Sequence, residues 1–203
     1  EFQPVGEYNI GVTAAMETTL SHATWIQGVN RMNLVLTSSE HSKKSLTESK
    51  WDAQTQGGKS TPIEVSKDVR LEVLFEGIDI EKYNGEYNRK ADIEIIDSLD
   101  SIKESFCFLF VGSWMQGIHR QDRKNVGGLI ENFLTTFKTT SQKPALILKS
   151  HLATTSIMDR EDMMKKINII RKKVGGNLPN IYLLHGEIND SEINTLYNHP
   201  KVK

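Results

Sequence analysis

Residues able to hold an anion recur in three short stretches of this chain, each directly after an apolar run. The run Phe106 to Val111 ends at Gly112, and after a polar loop Arg123-Lys124-Asn125 opens a segment with helical spacing. Ala145 to Leu148 is followed by Lys149-Ser150-His151, and Asn180 to Leu184 by His185-Gly186-Glu187. An apolar run, a polar loop and a helical segment read as strand, loop, helix. In an open parallel sheet, ligands bind at the carboxyl ends of the strands, where the amides and positive dipole end of the following helix favour negative charge. Cations at a helix start oppose that dipole and need a reason. Arg123 and Lys124, with Lys149, His151 and His185 brought to the same edge, fit a diphosphate better than a neutral ligand.

The composition makes this cluster local. Lys plus Arg number 25 and Asp plus Glu 26, a net charge of -1, so no global field draws the chain to nucleic acid or an anionic membrane. No apolar run approaches the roughly 20 residues that a bilayer requires. One cysteine, Cys107, lies inside an apolar run; an internal disulfide is excluded, and a reducing, cytoplasmic setting is expected. With Glu1-Phe2 at one end and Val202-Lys203 just after a proline at the other, the chain reads as the middle of a longer protein.

The elements that must position the cluster can be read in order. Tyr8 to Val12 is predicted as a strand leading into a helix over Thr13 to Met32, with Thr13 as N-cap, Glu17 in the first turn and Trp25 in the core. Glu17 is then either a dipole partner or an acid, base or charge stabiliser at the helix entrance. Asn33 to Thr37 is the next strand, and the polar turn from Ser38 to Lys43 caps a short helix. Residues 48–68 read as a mobile surface loop. Gly58-Lys59-Ser60 is not a P-loop: Ala53 replaces the required glycine, no apolar strand precedes it, and Pro62 breaks the helix that should follow. Arg70 to Phe75 is a strand, and residues 80–104 read as a connector. The second half then alternates strand and helix: Gly127 to Phe137 with Leu129, Ile130, Phe133, Leu134 and Phe137 inward, Asp159 to Lys173 with Met163, Ile167 and Ile170 inward, and a capped start at Asn189. Right-handed crossovers make this one parallel sheet.

Other chemistry is thinly supported. His22, His41, His119 and His199 are scattered, and no HxxxH, Cys pair or Asp-x-Asp is present, so no metal is expected. Gly-x-Ser-x-Gly and Gly-x-Gly-x-x-Gly are also absent. Trp114 falls in the anion loop, where its ring could pack against a sugar or base.

The ordered motifs Phe110-Val111-Gly112, Arg123-Lys124-Asn125, Leu183-Leu184-His185-Gly186 and Ser191-Glu192-Ile193-x-x-Leu196-Tyr197 resemble the second domain of GT-B fold retaining glycosyltransferases of the glycogen-synthase-like, family 4 type. Asn30 to Lys43 is similar to the end of that family's acceptor domain, and Val73 to Asp79 to the Gly-Val-Asp signature before the second domain. The resemblance implies an α/β chain of two Rossmann-like domains, both incomplete, with parallel sheets flanked by helices: residues 1–79 on the acceptor side, a connector at 80–104, and 105–203 binding the nucleotide sugar.

On the same resemblance, Gly112, Arg123, Lys124 and Asn125, with Lys149, hold the donor diphosphate, and His185, Gly186 and Glu187 lie against the base. Gly11, Thr13 and Glu17 face the acceptor and donor sugar across the cleft. The implied partners are a nucleotide-sugar substrate and an acceptor, with no separate cofactor and no metal, because fixed cations can stabilise the departing diphosphate. This chain departs from the family in having Ser113-Trp114 where many members carry an arginine. The acidic Glu-Gly-Phe-Gly-like segment that contacts the donor sugar would lie beyond Lys203, so the fragment alone is expected to be inactive. A non-catalytic nucleotide-sugar or phosphate binding module and a nucleotide-sugar epimerase of the same fold are the alternatives.

Overall fold

The computed structural model describes residues 3–15, 18–54, 60–87, 93–115 and 120–203. It divides into two compact units, residues 1–78 and 79–203. Both are α/β, built on parallel three-stranded sheets flanked by helices.

In the first unit, β1 (Ile10–Thr13), β2 (Leu34–Thr37) and β5 (Arg70–Val73) lie in the order β1-β2-β5, all parallel. Helices α1 (Ala23–Val29) and α2 (Glu40–Glu48) supply its core, where Ile26, Val29 and Leu46 meet Val35 and Leu71. The helix expected from Thr13 is shorter than its sequence pattern. Thr13 ends β1 and its Oγ1 accepts from the Ala15 amide, Ala15 itself being left-handed with φ 55°. The chain is then captured by α2: the Ser21 amide donates to Ser49 Oγ, and Ser21 Oγ lies 2.9 Å from Ser45 Oγ. These side-chain bonds compete with helix, and α1 starts only at Ala23, capped by His22. Trp25, expected in the core, is 38% exposed. Glu17 lies outside the described residues.

The predicted surface loop holds an antiparallel pair, β3 (Trp51–Gln54) and β4 (Ser60–Ile63). Pro62 sits in this two-stranded ribbon opposite Asp52, an edge position where a missing amide is tolerated. Gly58 and Lys59 lie outside the described residues.

In the second unit, β6 (Cys107–Val111), β7 (Ala145–Lys149) and β8 (Ile181–Leu184) form the sheet, in that order. Strand β7 is buried along its whole length and feeds two cores by its period of two. Leu146 and Leu148 pack with α4 (Val126–Phe137) and α5 (Ile157–Val174), through Ile130, Leu134, Met163 and Ile167. Ala145 and Ile147 join the other core with α3 (Ile93–Asp100) and α6 (Asp190–Asn198), through Ile95, Ile96, Leu99 and Leu196. Residues 80–104, read from sequence as a connector, thus carry a helix that belongs to this unit's core. Asn189 and Glu192 form the capping box that starts α6, and Ser156 caps α5 by accepting from the Asp159 amide. Leu129 is the one member of the expected α4 stripe that faces out, 37% exposed.

Beyond α6, Val202 returns parallel to Cys107 on the free side of β6. The strand order therefore reverses beside β6, and its carboxyl end is a topological switch point, the usual place for a ligand. Cys107 is fully buried, and that burial pushes its thiol above the ordinary value. Among the described residues no helix is long and apolar enough to cross a membrane, and no group of three His, Cys, Asp or Glu is placed to hold a metal.

Candidate functional site

A groove of about 620 Å³ opens at the carboxyl ends of β6, β7 and β8, wholly within the second unit. Its lining includes Gly112, Ser113, Lys124, Lys149, His151, Gly186 and Glu187. Three of the predicted turns meet there.

Gly112 is what lets Lys124 reach the groove. Its φ is 156°, and a Cβ at this position would stand 2.9 Å from Lys124 Nζ and 3.2 Å from Phe110 Cζ. The lysine side chain lies across a backbone with no side chain of its own. Lys149, at the end of β7, is buried, and its ammonium donates to the carbonyl of Gly186. Burial lowers its pKa from the ordinary lysine value, against the opposing pull of Glu192 and Glu187. Lys149 thus joins β7 to the β8 loop, where Gly186 turns with a φ of 114°. Backbone bonds complete the frame: the Gly112 amide donates to the Lys149 carbonyl at 3.0 Å and the Trp114 amide to the His151 carbonyl at 2.8 Å.

Not every predicted residue joins the groove. Arg123 and Asn125 are exposed and absent from its lining. Asn125 is left-handed, φ 49°, and its side chain folds over Gly128, where any Cβ would collide with it. His185 is also absent from the lining. Its Nε2 is buried without a hydrogen bond, and burial first, then Lys149 and Arg160, hold its pKa below the usual histidine value. Gly11 is buried in β1, and Thr13 closes that strand in the first unit.

The start of α4 differs most from expectation. Asp122 is buried, and its Oδ2 accepts from the Val126 amide at 2.8 Å, the first residue of the helix. A carboxylate of the chain itself thus takes the first amide of the helix, and the groove is lined by the cationic side chains of Lys124 and Lys149. Nothing in the spacing of RQDRKN distinguishes a buried Asp122 from a solvated one. Trp114, expected to offer its ring to a ligand, is packed into the α4 and α5 core, with Lys166 Nζ 5.2 Å above it.

Sequence reasoning named His151 as one of the cluster but gave no sign of its partner. Ser113 Oγ lies 3.1 Å from His151 Nε2, a contact made across strands by residues 38 apart.

No family model matches the chain, and no curated protein matches it. Solved structures are similar at low identity, among them these two. One, described as trehalose-6-phosphate from E. coli bound with UDP-2-fluoro glucose, is 14% identical with a TM-score of 0.46; 86% of this chain and 40% of that one are covered. The other, an OtsA apo structure, is 15% identical with a TM-score of 0.48, over 86% of this chain and 39% of that one. The chain spans about two fifths of the length of these structures. Likeness at this level carries no functional argument, which rests on the groove.

Proposed function

We propose that the second unit binds the nucleoside diphosphate part of a nucleotide sugar, as the donor side of a GT-B glycosyltransferase that moves the sugar to an acceptor. One observation carries this reading: Lys124 and Lys149 line one groove at the carboxyl ends of β6 and β7, together with Gly186 and Glu187. Departure of a nucleoside diphosphate concentrates negative charge on the leaving oxygens, and cations held in place before the reaction stabilise it without reorganising. Lys124, reaching across Gly112, is assigned the diphosphate. Lys149 is assigned to hold the β8 loop, whose exposed Glu187 carboxylate can accept from a base or ribose. Arg123, outside the lining, is assigned a smaller share. His185, outside the lining, is assigned a supporting role for that loop.

The sequence resemblance adds retention of configuration, and the acceptor-side roles of Gly11, Thr13 and Glu17 rest on it alone. No metal or separate cofactor is invoked.

Calorimetry of the 203-residue chain with a panel of nucleoside diphosphates and nucleotide sugars tests the reading. Lys124→Ala is expected to weaken binding roughly tenfold to a hundredfold, the range of a charge-assisted hydrogen bond of about 1.5–3 kcal/mol, and Arg123→Ala less. Binding left unchanged by Lys124→Ala would rule the site out. Release of nucleoside diphosphate from a nucleotide sugar, measured with and without added acceptor, separates a transferase from a module that only binds.

A further inference from the structure

Ser113 and His151 form a hydrogen-bonded pair on the groove wall, 3.1 Å between Oγ and Nε2. The other ring nitrogen, Nδ1, is 3.0 Å from the carbonyl oxygen of Leu152. A carbonyl only accepts, so Nδ1 carries a proton whether the ring is neutral or charged. The change of charge is confined to Nε2. When Nε2 is bare it accepts from the Ser113 hydroxyl, whose hydrogen is then turned toward the ring. When Nε2 is protonated it donates to Ser113 Oγ, and the hydroxyl hydrogen is free to rotate into the groove.

We propose that Ser113 and His151 are a proton-operated anion contact, in which uptake of one proton at Nε2 charges the groove wall and turns Ser113 into a donor toward a bound phosphate oxygen. The proton comes from solvent, the anion is the second ligand, and no covalent bond is made or broken. This rests on reading the groove as the diphosphate site, and it supplies a further cation beside Lys124 and Lys149. Of the charged residues that line the groove with His151, Lys124 from the α4 side and Lys149 from β7 oppose its proton, and Glu187 from the β8 loop favours it. His185 also interacts with it electrostatically. A dianion in the groove offsets the lysines and favours proton uptake, so binding and protonation are linked. Histidine as a residue type changes charge between roughly pH 5 and 8, which sets the range of the test.

The test uses two probes whose charge is constant across that range, sulfate and UDP-glucose, titrated into the full chain. Sulfate affinity is expected to fall about tenfold between about pH 6 and 8, the slope of up to one proton per anion. His151→Gln is expected to flatten this dependence at the weaker, alkaline level, Ser113→Ala to reduce it while leaving the part due to the imidazole charge, and Ser113→Thr to retain it. In wild type the His151 ring resonances, followed by NMR, are expected to titrate at higher pH with sulfate bound. Wild-type amide spectra of the variants confirm that they fold. A pH dependence that survives in His151→Gln, or ring resonances unmoved by sulfate, overturns the proposal. UDP-glucose bound equally at both pH values overturns the pair and leaves the nucleotide reading standing. Proton-linked sulfate binding, with no nucleotide sugar of the panel bound, supports the pair and removes the nucleotide reading. A groove that binds neither probe overturns both.

Discussion

Lys124 and Gly112 act as one device, because the lysine occupies the space that a side chain at 112 would fill. Gly112→Ala is expected to weaken nucleoside diphosphate binding about as much as Lys124→Ala, since the new methyl displaces the ammonium. The flexible lysine can move aside, so the stability cost is expected to stay near 1 kcal/mol, the size of a strained backbone position. Calorimetry with a denaturant series on the same sample separates the two effects. Lys149 calls for a different substitution, because it is buried and its donation to Gly186 holds a loop. Lys149→Met keeps the length and the burial without the donor. Faster amide exchange at Gly186 and Glu187 with an undisturbed β7 is the expected result, and unchanged exchange there would show that the loop holds itself.

At the scale of elements, two groups set how the second unit tolerates change. Asp122 lies three residues before Asn125, the N-cap of α4, and accepts from the Val126 amide, so Asp122→Ala is expected to lower stability by about 1–3 kcal/mol, the cost of leaving a buried donor unpaired. His199 follows α6, is 2% exposed and lies 3.3 Å from Asp100 Oδ1. Its Nε2 is misaligned for a hydrogen bond, and its Nδ1 accepts from the Lys201 amide at 3.3 Å. Burial outweighs Asp100 and holds the imidazole pKa below the ordinary 6.5. The unfolded chain then binds a proton before the folded one does, so this group makes stability fall as pH drops below about 6.5 and leaves it flat above. His185 acts in the same direction. Urea midpoints at pH 7.5 and 5.5 are expected to differ less in His199→Gln than in wild type; an equal difference would place the effect elsewhere.

Elements whose pattern is carried by their own residues were legible in advance. The second-unit strands, the Asn189 capping box and the inward Met163, Ile167 and Ile170 needed only local periodicity and capping. What could not be read depends on distant partners. The serines of α2 shorten α1 from 24 or more residues away. The β3 and β4 ribbon has no apolar alternation to announce it, and Trp114 enters the core because α5 lies over the loop. In the groove the lysines were visible as charge after a strand, whereas the Asp122 to Val126 bond and the Ser113 to His151 contact depend on how the loops close.

For the whole molecule, the groove and both cores of residues 79–203 lie on one side of the boundary between units. That stretch alone is expected to unfold cooperatively and to bind nucleoside diphosphates within about twofold of the full chain, as the lining would be complete. A large loss of affinity in the isolated unit would mean that the first unit contributes contacts. Cys107, the sole thiol of the chain, is sealed within this unit and held protonated by its surroundings. Labelling chemistry can therefore be directed at will: a cysteine placed at Thr155, on the rim of the groove, would take a fluorophore alone while the fold is intact. A second dye equivalent would be taken up only as the sheet opens, giving one sample that reports occupancy by its colour and unfolding by its stoichiometry.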